Sequence, residues 1–240
     1  MRVGHDLGGD VPVGHDGVEE RRVRDGRIPS ATVARLPVYL QALLEAAEAG
    51  TEGLASDDLA RAAGFNAAKV RKDLSYLGTH GTRGVGYAVD GLVRELSRAL
   101  GLLEDRPVLL VGVGNLGRAL ASYDGFRTRG FQLAALLDAA PSVIGQEVAG
   151  YRVRAVDELE TVVLDHDISL AVLAIPAAHA QFMVDRLVAA GVRAILSFVP
   201  THLVVPDGVT IRRVDLATEL QILSFYEQVV VDAPPTTASI

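Results

Sequence analysis

From Leu36 to Leu44 the apolar residues Leu36, Leu40, Leu43 and Leu44 recur at helical spacing. They predict a helix that Ser30 caps and Gly50 ends, with Pro37 either kinking it or opening its main part. Ser56 is placed to cap a second, short helix with Asp57 and Asp58 in its first turn. That helix turns Leu59, Ala62 and Ala63 inward and stops at Gly64. Asn66 caps a third over Ala67–Leu77, stopped by Gly78, so the pair reads as a helix-turn-helix across Gly64-Phe65-Asn66.

Beyond Leu103–Arg106 the pattern changes to apolar strands alternating with helices. Strands are expected at Val108–Val111, Leu133–Asp138, Leu170–Ile175, Ala194–Phe198 and Val209–Val214. Helices are expected from Asn115 to Tyr123 and over Ala178–Ala190. Such alternation predicts a parallel sheet with right-handed crossovers. A last helix, about Leu216–Val230, places Leu216, Leu220, Leu223 and Phe225 for burial.

The fold class is therefore α/β, a winged-helix DNA-binding domain over 28–103 followed by a Rossmann domain over 104–215. The last helix occupies 216–230. Residues 1–27, without periodicity, read as a disordered arm, and 231–240 as a loose tail.

Composition narrows the function. The 240 residues are 49% hydrophobic, enough for a core, and the net charge of -7 restricts any DNA site to a local patch. The absence of cysteine excludes disulfides, thiolate metal sites and thiol catalysis, and fits a cytoplasmic location. No apolar run is long enough to span a bilayer and the N-terminus has no secretory pattern, so no membrane partner and no metal are expected.

Gly112-Val113-Gly114-Asn115-Leu116-Gly117 fits G-x-G-x-x-G between a strand and a helix, with Asp138 about 20 residues on at the end of the next strand. Gly112 permits the tight turn, Gly114 the approach of a pyrophosphate, and Gly117 close packing of helix on strand. Asp138 is placed to accept from adenosine ribose hydroxyls. Ala139, Ala140 and Pro141 follow it, with no cation for a 2′-phosphate, which favours NADH and NAD⁺ over the phosphorylated forms. Pro176 and Phe198 close the next strands at the carboxyl edge and are expected along the nicotinamide half. Catalytic residues are not expected. The nearest candidates, His179 and His202, have no carboxylate partner at short spacing.

The third helix carries Lys69, Arg71, Lys72, Ser75 and Tyr76, and Arg83 sits among four glycines in a stretch suited to a wing. Arg71 and Lys72 suit guanine edges or phosphates of the major groove, and Arg83 a narrow minor groove. From Ile28 to Asp90 six Lys/Arg meet seven acids, but Asp73 is the only acid between Lys69 and Arg83.

With Val70-Arg71-Lys72-Asp73-Leu74-Ser75-Tyr76-Leu77-Gly78, Gly81-Thr82-Arg83-Gly84-Val85-Gly86-Tyr87, Ile28-Pro29-Ser30-Ala31-Thr32 and Arg35-Leu36-Pro37-Val38-Tyr39, the chain resembles the Rex redox-sensing repressors. The Rossmann half adds Gly112–Gly117, Arg118-Ala119-Leu120, Tyr123, Ala180-Gln181, Val214-Asp215-Leu216 and Leu223-Ser224-Phe225. The resemblance implies a homodimer on a palindromic double-stranded operator, released by NADH, with NAD⁺ competing weakly. It further implies that the helix from Leu216 reaches into the partner's dinucleotide domain, and that position 41, Tyr123 and Asp215 exchange contacts in the switch. Three positions depart from the family's pattern. Gln41 stands where it has a basic residue, Ser197 where it has asparagine, and Ala139-Ala140 where it has a further acid. Two other readings are weighed against this one: an enzyme with a fused helical domain, and a CoA-type ligand-binding domain. Arg83 in a glycine hairpin separates the repressor from both.

Overall fold

The computed structural model describes residues 28–78, 81–82 and 86–231. The expected arm, almost all of the tail, and Arg83 lie outside the described residues. The chain divides into two compact units, one through Leu103 and one from Glu104.

In the first unit α1 (Ser30–Glu48) leads through β1 (Gly53–Leu54), α2 (Ser56–Ala63) and α3 (Ala67–Ser75) to β2 (Tyr87–Ala88) and α4 (Val89–Ala99). Leu36, Tyr39 and Leu43 of α1 meet Leu59, Val70, Leu74, Leu92 and Leu96 in one core. Strands β1 and β2 pair antiparallel, Gly53 with Ala88 and Leu54 with Tyr87.

Several local expectations are corrected here. Ser30 does not cap α1. Pro29, extended at ψ 143°, holds the cap position, and its carbonyl accepts from the N–H groups of Thr32 and Val33. Pro37 does not open the main part of α1, which runs through it from Ser30 to Glu48. Ser56 is the first residue of α2 and not its cap, the cap position being held by Ala55, and its hydroxyl accepts from Arg71. Leu44 is exposed, and Tyr39 takes the inward position beside Leu36, Leu40 and Leu43. In α2 the buried alanines are Ala60 and Ala63, with Ala62 exposed. The third helix stops at Ser75, and the chain turns on to Gly78 at φ 76°.

The second unit is a seven-stranded sheet. Its strands are β3 (Arg106–Val111), β4 (Phe131–Asp138), β5 (Glu147–Val148), β6 (Tyr151–Ala155), β7 (Leu170–Leu173), β8 (Ala194–Ser197) and β9 (Thr210–Arg213). Their spatial order is β5-β6-β4-β3-β7-β8-β9, parallel except for β5. Without β5 this is the doubly wound order of dinucleotide-binding domains, reversing between β3 and β7. Helices α6 (Leu159–Asp165) and α7 (Ala180–Ala190) pack on one face through Leu159, Val162, Val184 and Leu187. The short α5 (Asn115–Ala121) covers part of the other, where Leu170, Leu196 and Phe198 stay half-buried.

The strand expected to Ile175 ends at Leu173, and the one expected to Phe198 ends at Ser197. Phe198 N–H still donates to the Leu173 carbonyl. A 3-10 turn over Ala177–His179 precedes α7. The last helix, α8 (Leu216–Val231), opposes its expectation most. Every side chain from Leu216 to Gln228 is exposed, Leu216 by 62% and Phe225 by 63%.

Candidate nucleic-acid interface and dinucleotide crevice

Asn66 starts α3 with its Oδ1 accepting from Lys69 N–H at 2.8 Å. The helix then turns Val70, Asp73 and Leu74 into the core and leaves Lys69, Arg71, Lys72 and Ser75 exposed, with Tyr76 half-buried. Arg71 donates to the Ser56 hydroxyl at 3.0 Å, and Ser75 donates back to the Lys72 carbonyl. The acid that interrupts this basic run in the sequence does not reach its surface. Asp73 is 2% exposed and accepts from Thr32, from both Arg35 Nε and Nη2, and from the Tyr39 hydroxyl. Burial, the largest influence on that carboxyl, pushes it up, but the bonds from Arg35, Tyr39 and Thr32 together hold it below its ordinary value. The same carboxylate and burial drive Tyr39 up to about 12, burial first. The outward face of α3 is therefore cationic although the chain is acidic.

The neck of the expected wing is closed by Thr82 and Gly86, which exchange backbone hydrogen bonds of 2.8 and 2.9 Å. Gly86 has φ 92°, and a Cβ there would overlap the Leu54 carbonyl, so β1 and the wing approach each other only through glycine.

In the second unit the glycine loop lies where β3 ends at the reversal of strand order. A Cβ on Gly112 would strike Ala174, and one on Gly117 would strike the Gly112 carbonyl. Gly114 faces open space. The N–H groups of Asn115 and Leu116, in the first turn of α5, have no partner within the helix. Val113 is buried, and its N–H donates to Asp138 Oδ2 at 2.6 Å, while Asp138 Oδ1 accepts from Ala140 N–H at 2.7 Å. Val113 thus anchors the loop to the carboxylate and has no amide left for a ligand. The second lone pairs of Asp138 remain for ribose hydroxyls. Two closed glycines, an open one and a half-exposed acid fit a dinucleotide. Pro176 is exposed at the carboxyl edge, whereas Phe198 packs into the sheet face.

Each switch candidate has local bonds. Gln41 donates to Glu45 at 2.9 Å, and Tyr123 accepts from Arg129 at 3.2 Å. Asp215 accepts from the N–H groups of Thr218 and Ala217 at the start of α8, which hold its carboxyl below the ordinary range. Sequence reasoning missed Thr32, Arg35 and Tyr39 as partners of Asp73, and Ser56 as partner of Arg71. Each of these partners lies at least 15 residues away along the chain, beyond the reach of a local pattern. Among the described residues no group of three or more His, Asp or Glu is placed to hold a metal, and no helix is long and apolar enough to cross a membrane.

A helix-turn-helix unit with a closed wing neck, followed by a dinucleotide-type α/β unit, defines a two-domain DNA-binding regulator. A family model described as "Putative DNA-binding protein N-terminus" matches residues 27–75, and one described as "CoA binding domain" matches 104–201. The redox-sensing transcriptional repressors Rex of Streptomyces avermitilis and Streptomyces coelicolor are both 57% identical over 205 residues. That stretch is 85% of this chain and 81% and 80% of theirs. Crystal structures of RSP, a Rex-family repressor, align as well. Its complex with β-NAD⁺ and operator DNA has TM-score 0.78 at 32% identity, covering 86% of this chain and 99% of that one. Its complex with β-NADH has TM-score 0.75 at 32% identity, covering 84% and 94%. This chain belongs to the Rex family of redox-sensing transcriptional repressors, and the role is regulatory, not enzymatic.

Proposed function

We propose that the protein is a cytoplasmic homodimer that represses from a palindromic operator and is released by NADH, with NAD⁺ a weak competitor. The observation that carries this reading is the junction, in one chain, of a recognition helix whose only acid is turned inward and a crevice with open Gly114 beside Asp138. Lys69, Arg71, Lys72, Ser75, Tyr76 and Arg83 meet the DNA. The loop Gly112–Gly117, Asp138, Pro176 and Phe198 hold the dinucleotide. The helix α8 lies on a second copy, which accounts for apolar side chains left exposed from Leu216 to Tyr226 in one chain. The sheet face around Leu170, Leu196 and Phe198, which stays half-buried, is the surface proposed to receive it. NADH supplies no chemistry here. Its binding energy shifts the dimer between two states and must differ between them to act.

Titrating NADH, NAD⁺ and CoA separately into a complex of the protein with a fluorescent palindromic duplex tests the reading. Release by NADH at far lower concentration than by NAD⁺ is expected. Release by CoA alone would move the crevice to the other ligand class.

Asp138→Ala removes both the ribose acceptor and the anchor of Val113 and Ala140. NADH affinity should fall about ten- to a hundredfold, from charge-assisted bonds worth about 1.5–3 kcal/mol. Operator binding without ligand should persist. Calorimetry with an unchanged NADH affinity would remove Asp138 from the site, and tighter NADPH than NADH binding by the wild type would overturn the cofactor assignment.

For the switch, a neutral Gln41 can donate to Asp215 but cannot form an ion pair with it, which leaves the DNA-bound state more weakly biased. Gln41→Arg should tighten operator binding and raise the NADH needed for release, although the new guanidinium also faces Glu45. Asp215→Ala in that background should cancel the gain. Unchanged values in the single variant, or no reversal in the double, would exclude this contact.

A further inference from the structure

Every donor to the Asp73 carboxylate comes from one face of α1: Thr32, Arg35 and Tyr39, at intervals of three and four residues. Each carboxylate oxygen accepts twice. Oδ1 takes Thr32 Oγ1 and Arg35 Nη2, both at 2.8 Å, and Oδ2 takes Arg35 Nε at 2.6 Å and Tyr39 Oη at 2.8 Å. The planar, two-point guanidinium fixes the plane of the carboxylate, and the two hydroxyls fix it from the sides. The same two large side chains hold the turn before α3. Phe65 stands edge-on to the Tyr39 ring with centroids 5.5 Å apart, and the Arg35 guanidinium lies 6.0 Å from the Phe65 centroid. Thus α1 grips both the turn and the middle of α3.

Stability alone does not require a charge here, since apolar residues of similar volume commonly replace buried ion pairs without loss. What the pair supplies is geometry. Side-chain tips lie about 5–6 Å from a helix axis, so a rotation of about 20° displaces them by about 2 Å. That is enough to break a two-point hydrogen bond to a base edge.

We propose that Thr32, Arg35 and Tyr39 are specificity-determining positioning residues. By clasping Asp73 they fix the rotation of α3 about its own axis, and so decide which bases Arg71 and Lys72 meet. The proposal rests on the reading of α3 as the recognition helix. Phosphate contacts, which tolerate small displacements, depend on the clasp far less than base contacts do.

The test uses the full-length protein and the duplex that the wild type selects from a random-sequence library. Thr32→Val with Tyr39→Phe keeps volume, the ion pair and ring packing while removing two of the four bonds. Anisotropy titrations of the selected and a scrambled duplex, at several salt concentrations, give the affinity ratio and the salt slope. We expect selected-duplex affinity to fall roughly tenfold, with scrambled-duplex affinity and salt slope unchanged. Arg35→Lys, which retains charge but loses the two-point grip, should do the same, and it is read instead if the double variant is unfolded at the assay temperature. A lowered Tm with an unchanged affinity ratio would overturn the proposal and leave the recognition helix standing. A wild type that selects no sequence would overturn both.

Discussion

Asp73→Ala will destabilise the amino-terminal unit by about 3–5 kcal/mol, the usual cost of removing one partner from a buried ion pair. The carboxylate is 2% exposed, and the Arg35 side chain it pairs with is only 20% exposed. Its loss leaves a guanidinium, a Tyr39 hydroxyl and a Thr32 hydroxyl without their acceptor, at the junction of α1 and α3. A decrease this large is a substantial part of the stability of a unit of this size. Chemical denaturation followed by circular dichroism should show an early transition from the helical amino-terminal unit, ahead of the α/β unit. A destabilisation of less than about 1 kcal/mol would mean that the network is not held in solution.

The same network sets a pH window. Asp73 is held below its ordinary value in the folded state, so its contribution is fully present above the unfolded value of about 4 and is lost as pH falls through the folded value. Tyr39 works in the other direction. Its hydroxyl, pushed up to about 12, keeps its contribution below about 10 and loses it as pH rises toward that value. Between these limits neither group titrates, and across the neutral range the clasp should be insensitive to pH. A stability change between pH 6 and 8 that vanishes in Tyr39→Phe would contradict this.

What could be read from the chain beforehand follows from the range of the interactions involved. The loop Gly112–Gly117 is a backbone demand. Closed contacts at Gly112 and Gly117 exclude any side chain, so glycine spacing between a strand and a helix reveals the turn. Asp138, at the end of its strand, meets the loop because β3 and β4 are adjacent and parallel, and strand alternation carries that information. Helix α4 was equally readable, with Val89, Leu92 and Leu96 inward at helical spacing, although no helix was expected there. Strands β5 and β6 were not read, because β5 is two residues long and the five of β6 include two arginines. The inward turn of Asp73 depends on partners 34 to 41 residues away. No local pattern encodes that, and on periodicity alone Asp73 counts against the basic face. The two serines expected as caps both lie one residue inside their helices, after Pro29 and Ala55 at the cap positions. In α8, Leu216, Leu220, Leu223 and Phe225 read as a buried face, yet among the described residues nothing covers them.

The largest effect on DNA binding is expected from Arg71→Ala combined with Lys72→Ala. Both side chains are exposed on α3, and the one bond at stake, Arg71 to the Ser56 hydroxyl, lies at the surface, so the fold should be retained. A two-point contact to a base edge is worth about 1–3 kcal/mol, so losing two such contacts weakens operator binding by roughly two to four orders of magnitude if they add. Adjacent residues on one helix need not add, and each single variant is required to measure the coupling. Salt separates the two roles. If a residue contacts phosphate, its loss weakens all duplexes alike and lowers the salt slope by about 0.9 per contact. If it contacts a base, the slope stays and the preference for the operator over a scrambled duplex falls. We expect Arg71 to follow the second pattern, because Ser56 holds its guanidinium in one orientation, whereas Lys72 ends in a point charge suited to either. NADH affinity of the free protein should not change, since the crevice belongs to the other unit. Undiminished operator binding by the double variant would remove α3 from the interface and, with it, the assignment of the recognition helix.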